Sequence, residues 1–270
     1  MSASDKVFAG SIPKIYDAYF VPLIFGGYAE DLASRVAALN PDTVLETAAG
    51  TGAVTRALAT KLGPKARYTV TDLNPPMLEV AKASLTGDTR ITWRQADALA
   101  LPFGDDAFDA ACCQFGVMFF PDRVKGYREA RRVLKPGGRF VFNVWDRIEE
   151  NEFANEVTNA LAEVFAGDPP KFMARTPHGY HDDAVIRSEL GTAGFSDITI
   201  ERRTDVSHAP SARDAAIAYC QGSPLRNEIE ARGPDMLERA TELAAAAIAK
   251  RHGDGAVEGK IQAFVVSAMA

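Results

Sequence analysis

The chain predicts an α/β domain, an open and mostly parallel sheet with helices on both faces. Three observations lead there. Short apolar runs of the kind that fit strands buried on both faces alternate with segments of helical spacing along the middle of the chain. The stretch from Thr43 to Leu58, TVLETAAGTGAVTRAL, passes from such a run through a turn of small residues into a helix with Val54, Ala57 and Leu58 on one side. An acid, Asp72, closes the next predicted strand about twenty residues beyond Gly52.

The first turn, Ala48-Ala49-Gly50-Thr51-Gly52, lets the backbone bend sharply and lets a ligand come close to main-chain N–H groups and to a helix N-terminus. A dinucleotide fingerprint needs a third Gly or Ala, and Thr55 stands there; a phosphate-binding loop needs a closing Gly-Lys-Ser/Thr, which does not occur. Glu46 at the strand end suits a cationic ligand better than a pyrophosphate, which points to a cofactor with an amino group and a sulfonium. An alanine at Ala48 is tolerable with negative φ. Tyr68 to Lys82 reads as a second strand and helix, with Asn74 as N-cap and Pro75 at the first helical position. Asp72 at that strand end is placed for two vicinal ribose hydroxyls. A third strand precedes Asp97. The apolar run Phe108 to Phe115 is the fourth strand, and a helix over Asp122 to Leu134 leads to a Pro-Gly-Gly turn at Pro136 to Gly138 and a fifth strand from Arg139 to Trp145.

These segments, VLETAAGTG, YTVTDLNPPMLEVAK, WRQADALALPFGDDAFDAACCQF and REARRVLKPGGRFVFNVWD, together resemble the class I S-adenosylmethionine-dependent methyltransferases, and closely the ubiquinone/menaquinone-biosynthesis subgroup. The likeness is specific from about Asn40 to Asp146, and it departs from the first motif at Ala48, where glycine is expected. It implies a Rossmann-like sheet of about seven strands with the last antiparallel between the fifth and sixth, capped by helices. It implies S-adenosyl-L-methionine as cofactor, S-adenosyl-L-homocysteine as product, and cofactor contacts at Glu46, Thr47, Ala48, Ala49, Gly50, Gly52, Asp72, Leu73, Asn74, Met77, Ala96, Asp97, Ala98, Gln114 and Phe115. Asp97 would accept from the adenine amine, Ala98 would offer its N–H to the ring, and the end of the fourth strand would meet the methionine portion.

Outside this core the reading is looser. Ile12 to Tyr28 is rich in aromatic residues interrupted by Asp17 and Pro22, and a helix follows from about Ala29 to Leu39. As a lid, that arm would bring Tyr19 and Phe20 to the cofactor and Tyr16 and Phe25 to the acceptor, where cation–π attraction to the sulfonium is available; as packing, it would cover the sheet edge. Beyond Asp146 come an amphipathic helix with Phe153, Val157, Leu161 and Val164, then a Pro- and Gly-rich loop from Gly167 to Asp183 holding His178, Tyr180 and His181. His178 and His181 are the candidates for a catalytic base, and His178, Tyr180 and Phe119 for acceptor contacts; no carboxylate or cysteine set accompanies the histidines, so a metal site is not expected. Strand six is read at Ile198 to Arg203, helices over Ser211 to Arg251, and a last strand at Ile261 to Met269. The expected organisation is one domain over 1–270: a helical lid at 1–39, the cofactor core at 40–146, and acceptor-cap insertions at 147–194 and 204–257.

Bulk properties agree with an enzyme of small molecules. The chain has 270 residues, 47% apolar and 24% charged, with a formal net charge of −6. That charge disfavours broad binding to nucleic acid or anionic lipid, and the arginines of the Asp122 helix read as a solvated face. The three cysteines, including the adjacent Cys112 and Cys113, form no disulfide framework, and no signal peptide or membrane span is read, so a cytoplasmic protein, monomer or homodimer, is expected. Transfer of a methyl group to oxygen, nitrogen or carbon of a small acceptor is the main functional reading. The alternatives are a protein that binds S-adenosylmethionine or S-adenosylhomocysteine without methyl transfer, and a NAD(P)-dependent oxidoreductase.

Overall fold

A computed structural model of the chain describes residues 3–165 and 167–270. Helix α1 (Ile12–Ile15) runs through a π-helical stretch, Tyr16–Phe25, into α2 (Gly26–Ala38). The core then alternates β1 (Thr43–Glu46), α3 (Ala53–Ala59), β2 (Arg67–Asp72), α4 (Pro75–Ser84), β3 (Ile91–Gln95), β4 (Phe108–Gln114), α5 (Arg123–Val133) and β5 (Leu134–Trp145). After it come α6 (Glu152–Val164), α7 (Phe172–Arg175), α8 (Asp183–Thr192), β6 (Ser196–Ala209), α9 (Ala212–Gln221), α10 (Leu225–Glu230), α11 (Met236–His252) and β7 (Val257–Met269).

The seven strands form one sheet in the order β3-β2-β1-β4-β5-β7-β6. The pairs β3–β2, β2–β1, β1–β4 and β4–β5 are parallel. β7 runs against β5: Gly137 donates to the Ala270 carbonyl at one end and Asp146 to the Gln262 carbonyl at the other. The expected sheet, with an antiparallel last strand between the fifth and sixth, is therefore the observed one.

The chain forms two compact units. The sheet unit comprises Gly27–Val144, Tyr180–Arg203 and Ala263–Ala270; the helical unit comprises the chain up to Gly26, Trp145–Gly179 and Thr204–Gln262. In the sheet unit one face buries Val44, Tyr68, Val70, Ala110, Cys112 and Val141 under Leu32 and Val36 of α2 and Val54 and Leu58 of α3. The other face packs Tyr127 of α5 on Phe140 and Phe142 of β5. Asp109 holds the strand starts in register: it accepts from the Thr43 N–H at 2.8 Å and from Lys135 Nζ at 2.6 Å, joining β1, β4 and β5. In the helical unit Phe20 meets Tyr219 of α9 edge-on at 4.9 Å between ring centroids, and Tyr16 stacks on Phe25 at 5.2 Å.

Two local expectations are corrected. Pro22 does not break the N-terminal segment: it lies inside the π-helical stretch, whose wider turn accommodates a residue without an N–H. Pro136 to Gly138 is not a turn ahead of the fifth strand but an irregularity inside β5, where Phe108 pairs with Leu134 and Ala110 already with Arg139. Gly137 takes φ +80°, and Gly138 takes the Ala270 N–H on its carbonyl, so the bulged residues are held by β7, a long-range partner.

Candidate active site

The turn after β1 is stitched to the end of β2. Ala49 donates its N–H to the Thr71 carbonyl at 3.0 Å, and Gly50 donates to Asp72 Oδ2 at 2.8 Å. Asp72 Oδ1 accepts from the Asn74 N–H at 2.7 Å. Burial pushes the Asp72 carboxyl above its ordinary value, and the N–H donors of Asn74 and Gly50 pull it back. Oδ1 also takes a longer bond from Asn74 Nδ2 at 3.4 Å, so it carries two donors while Oδ2 carries the Gly50 N–H. The expectation of uncommitted amides in the turn is thus narrowed: the N–H groups of Ala49, Gly50 and Gly52 all have acceptors within the protein. Ala48, Ala49 and Gly50 are themselves half-buried at the sheet's carboxyl edge.

Ala48 has φ +51°, not the negative value expected. The left-handed conformation, ordinarily glycine's, is imposed on an alanine by the bonds on either side, Thr47 N–H to the Cys112 carbonyl and Ala49 N–H to the Thr71 carbonyl. Its methyl lies against Gly116, where a Cβ would come within 2.5 Å of Ala48 Cβ and 2.6 Å of Cys113 Sγ. Gly116 is therefore tied to Ala48, a coupling that no local pattern displays. Gly52 takes φ +84° and would set a Cβ 3.0 Å from that of Ala81. The Thr51 hydroxyl, a residue the sequence reading passed over, is buried without a hydrogen-bond partner among the described residues.

Glu46 is turned into the sheet unit. Its Oε2 accepts from Thr55 Oγ1 at 2.7 Å and from the Tyr68 hydroxyl, and it is only 1% exposed. Burial raises its carboxyl to about 7, with Tyr68 and Thr55 pulling the other way. The placement expected from sequence, beside a cationic ligand, is replaced by one beneath the turn. The same bond explains Thr55: it occupies the third fingerprint position because α3 needs a hydroxyl there to meet Glu46, and a dinucleotide's close helix approach is not built.

Asp97 follows β3, exposed, with Oδ1 on the Leu99 N–H at 2.9 Å. The Ala96 N–H bonds the Asp72 carbonyl at 3.1 Å, which brings the ends of β2 and β3 together. Leu73 is 41% exposed beside them, Ala98 is half-buried, and Met77 is buried, its Cε 3.5 Å from where a Gly50 Cβ would be. Gln114 is half-buried at the end of β4, and Phe115 is buried with φ +49°. The sheet unit thus gathers Thr47, Ala48, Ala49, Gly50, Gly52, Asp72, Leu73, Asn74, Ala96, Asp97, Ala98, Gln114 and Phe115 along the carboxyl ends of β3, β2, β1 and β4, where open α/β sheets hold ligands.

The remaining candidates divide. Tyr19 is exposed in the helical unit, whereas Phe20 is buried among Tyr16, Phe25 and Tyr219, so packing takes it from the lid role. Tyr16, Phe25, Trp145 and His178 continue that aromatic set, with His178 6.0 Å from Trp145. His178 Nδ1 lies 2.8 Å from the Asp146 carbonyl, which only accepts, so Nδ1 carries a proton and Nε2 is the basic nitrogen of the neutral ring. His181 is exposed and belongs to the sheet unit. Tyr180 is corrected from acceptor contact to brace: its hydroxyl donates to Glu189 at 2.6 Å and meets Tyr127, and Arg123 covers its ring at 4.2 Å. Phe119 is half-buried in the 3₁₀ turn after β4. Among the described residues no group of three or more His, Cys, Asp or Glu could hold a metal, and no helix is long and apolar enough to cross a membrane.

A family model described as the ubiE/COQ5 methyltransferase family matches residues 10–204. A demethylmenaquinone methyltransferase of Clavibacter sepedonicus is 32% identical over 172 residues, covering 60% of this chain and 69% of that protein. A ubiquinone/menaquinone biosynthesis C-methyltransferase UbiE of Hahella chejuensis is 39% identical over 171 residues, 57% of this chain and 66% of that one. Among solved structures, a Haemonchus contortus phosphoethanolamine N-methyltransferase 2 in complex with S-adenosyl-L-methionine superposes with a TM-score of 0.61 at 18% identity, over 99% of this chain and 60% of that one.

Two measurements probe the turn. Ala48→Gly removes the left-handed strain at φ +51° and is expected to raise the melting temperature, by up to about 1 kcal/mol of stability after the added unfolded-state entropy of glycine; a lower melting temperature would contradict the assigned backbone. Glu46 holds its proton up to about 7 when folded but only to about 4.5 when unfolded, so wild type loses stability as pH rises across that window. Glu46→Gln lacks this loss, and the ligand-free variant is expected to gain on wild type by on the order of 2–3 kcal/mol between pH 5 and pH 8. Parallel melting curves at the two pH values would refute the buried carboxyl.

Proposed function

The chain belongs to the ubiE/COQ5 methyltransferase family of S-adenosylmethionine-dependent enzymes acting on small molecules, and from that premise we propose that it methylates a ring carbon of a hydroquinone-type acceptor in the reducing cytoplasm. One observation supports the cofactor half of the reading: the Asp72 carboxylate, at the end of β2, is held at the carboxyl edge of the sheet by the Gly50 and Asn74 N–H groups. The acceptor class is taken from the names of the relatives, and the buried free thiols of Cys112, Cys113 and Cys220 suit a reducing compartment.

The residues fit the cofactor. The Thr51 hydroxyl, without a hydrogen-bond partner among the described residues, and the half-buried Ala48–Gly50 backbone supply polar groups beside a wall of Met77 and Phe115, and the glycine at Gly116 keeps side-chain atoms out of the turn. Asp72 would receive the ribose hydroxyls, Asp97 and the Ala98 N–H the adenine, with Leu73 against its face, and Gln114 and Phe115 the methionine portion. When bound, S-adenosylmethionine supplies an electrophilic methyl group on a cationic sulfur. The chain's contribution is positioning and exclusion of water, since fixed geometry lowers the entropic part of an in-line displacement and a dry site favours charge neutralisation. His178 and His181 are the candidates for taking the hydrogen from an acceptor hydroxyl, and the Asp146 carbonyl, 2.8 Å from Nδ1, orients the His178 ring.

Calorimetric titration with S-adenosylmethionine, followed by turnover of demethylmenaquinol to a methylated ring and S-adenosylhomocysteine, is the test. Asp72→Ala is expected to weaken cofactor binding at least ~10-fold, because both a hydroxyl acceptor and a brace of the turn are lost. Wild-type affinity in that variant would remove the ribose assignment, and cofactor binding with no turnover on any quinol would remove the acceptor.

A further inference from the structure

Glu46 ends β1, the strand that enters the small-residue turn, and lies wholly inside the sheet unit. Its Oε2 accepts from Thr55 Oγ1 of α3 at 2.7 Å and from the Tyr68 hydroxyl of β2. Its backbone carbonyl takes the Thr71 hydroxyl at 2.9 Å, and the Thr71 carbonyl takes the Ala49 N–H, so the residue is fixed to the floor of the turn. Hydroxyl donors suit an ionised carboxylate, yet no cation pairs with it among the described residues. The groups that face it are Thr55 and Arg56 from α3, Tyr68 and Asp72 from β2, and Cys112 and Cys113 from β4. From α2 and α4 the same core receives Leu32, Val36 and Leu78. Burial pushes the Tyr68 hydroxyl and the Cys112 thiol well up, and the Cys113 thiol to about 12, so all three stay neutral near neutral pH. Burial raises Glu46 to about 7 against the pull of Tyr68 and Thr55; beyond these, the Asp72 carboxylate pushes it further up and the Arg56 guanidinium draws it down. Charge at the cofactor edge of the sheet is therefore felt at Glu46 without contact.

On the cofactor reading above, on which this inference rests, S-adenosylmethionine brings a sulfonium to that edge. S-adenosylhomocysteine, a thioether, differs from it by one methyl group and one positive charge. We propose that Glu46 is a specificity-determining residue for the cofactor: enclosed and out of contact, it recognises the sulfonium by charge, losing its proton to water when S-adenosylmethionine binds and keeping it when S-adenosylhomocysteine binds. Unit charges about 10 Å apart at an effective dielectric near 20 alter each other's proton affinity by about one pKa unit, a ~10-fold effect on binding. A cation favours the ionised carboxylate, so a proton on Glu46 and S-adenosylmethionine oppose each other. Below about pH 6 Glu46 carries its proton with either ligand and adds no preference; above about 7 it is ionised and favours S-adenosylmethionine. Methyl transfer removes the charge to which Glu46 responds, so the residue that tightens the cofactor also loosens the product.

The test is calorimetric titration of wild type and of Glu46→Gln with each ligand at about pH 5.5 and about pH 7.5. Between these, the ratio of the S-adenosylhomocysteine Kd to the S-adenosylmethionine Kd is expected to rise at least ~3-fold more in wild type than in the variant, which has no proton to lose. Ionisations of Asp72 and of the ligands' own amino groups are common to both proteins and cancel in that comparison. At about pH 6.5, titration in two buffers of different ionisation enthalpy is expected to show wild type releasing about 0.5 proton more than the variant on binding S-adenosylmethionine. Equal pH dependence in the two proteins would assign the effect to Asp72 or the ligands and overturn the proposal, as would a flat ratio in wild type. Should the glutamine variant not fold, Tyr68→Phe serves: loss of a hydroxyl donor to the carboxylate moves the rise to higher pH, and an unmoved rise overturns the proposal. Failure of wild type to bind either ligand strikes the cofactor reading itself, whereas binding of both without a pH-dependent preference leaves that reading standing and removes only this role of Glu46.

Discussion

The bond from the Gly50 N–H to Asp72 Oδ2, at 2.8 Å, is the constraint on which the candidate site depends. It joins the loop that leaves β1 to the acid that ends β2, and it fixes the height of the turn above the sheet. With Ala49 on the Thr71 carbonyl and Asn74 on the other Asp72 oxygen, the carboxylate is oriented before any ligand arrives. Preorganisation of this kind removes part of the ordering cost of binding. Its consequence for the backbone is visible at Ala48, held in a left-handed conformation because the bonds on both sides leave it no other path.

Beneath the turn a second carboxylate has a different task. Glu46 is enclosed with Thr55 and Tyr68, and its raised proton affinity follows from burial rather than from a charged neighbour. Two acids, each at a strand end and 26 residues apart in sequence, thus divide into an internal brace and a site group. What separates them is side-chain direction: Glu46 points into the core face with Val44, whereas Asp72 meets the edge where the turn and α4 begin.

The helical unit follows another logic. Its aromatic arm, read from sequence as lid or packing, resolves residue by residue: Phe20 serves the packing around Tyr219, and Tyr19 keeps its exposure. Helical spacing announced the helices but not which ring would find a partner on α9, which is about 200 residues away in the chain. His178 was legible as a polar ring in a loop; that its Nδ1 meets the Asp146 carbonyl depends on the loop folding back on the end of β5. Tyr180, two residues on, was indistinguishable from it by composition, yet became a brace between Tyr127 and Glu189.

The sequence by itself determined the alternation of strand and helix, the position of the small-residue turn, the acids at Asp72 and Asp97, and the family to which these belong. Each is a local feature: an apolar period, a glycine, a capping residue or a spacing survives without knowledge of distant neighbours. Tertiary structure alone decided the direction of Glu46, the left-handed Ala48 against Gly116, the bulge inside β5 held by the end of β7, and the buried Thr51 hydroxyl without a hydrogen-bond partner among the described residues. These depend on which atoms from separate strands arrive within bonding distance, and whether a buried polar group is satisfied is a property of its surroundings rather than of its own residue type.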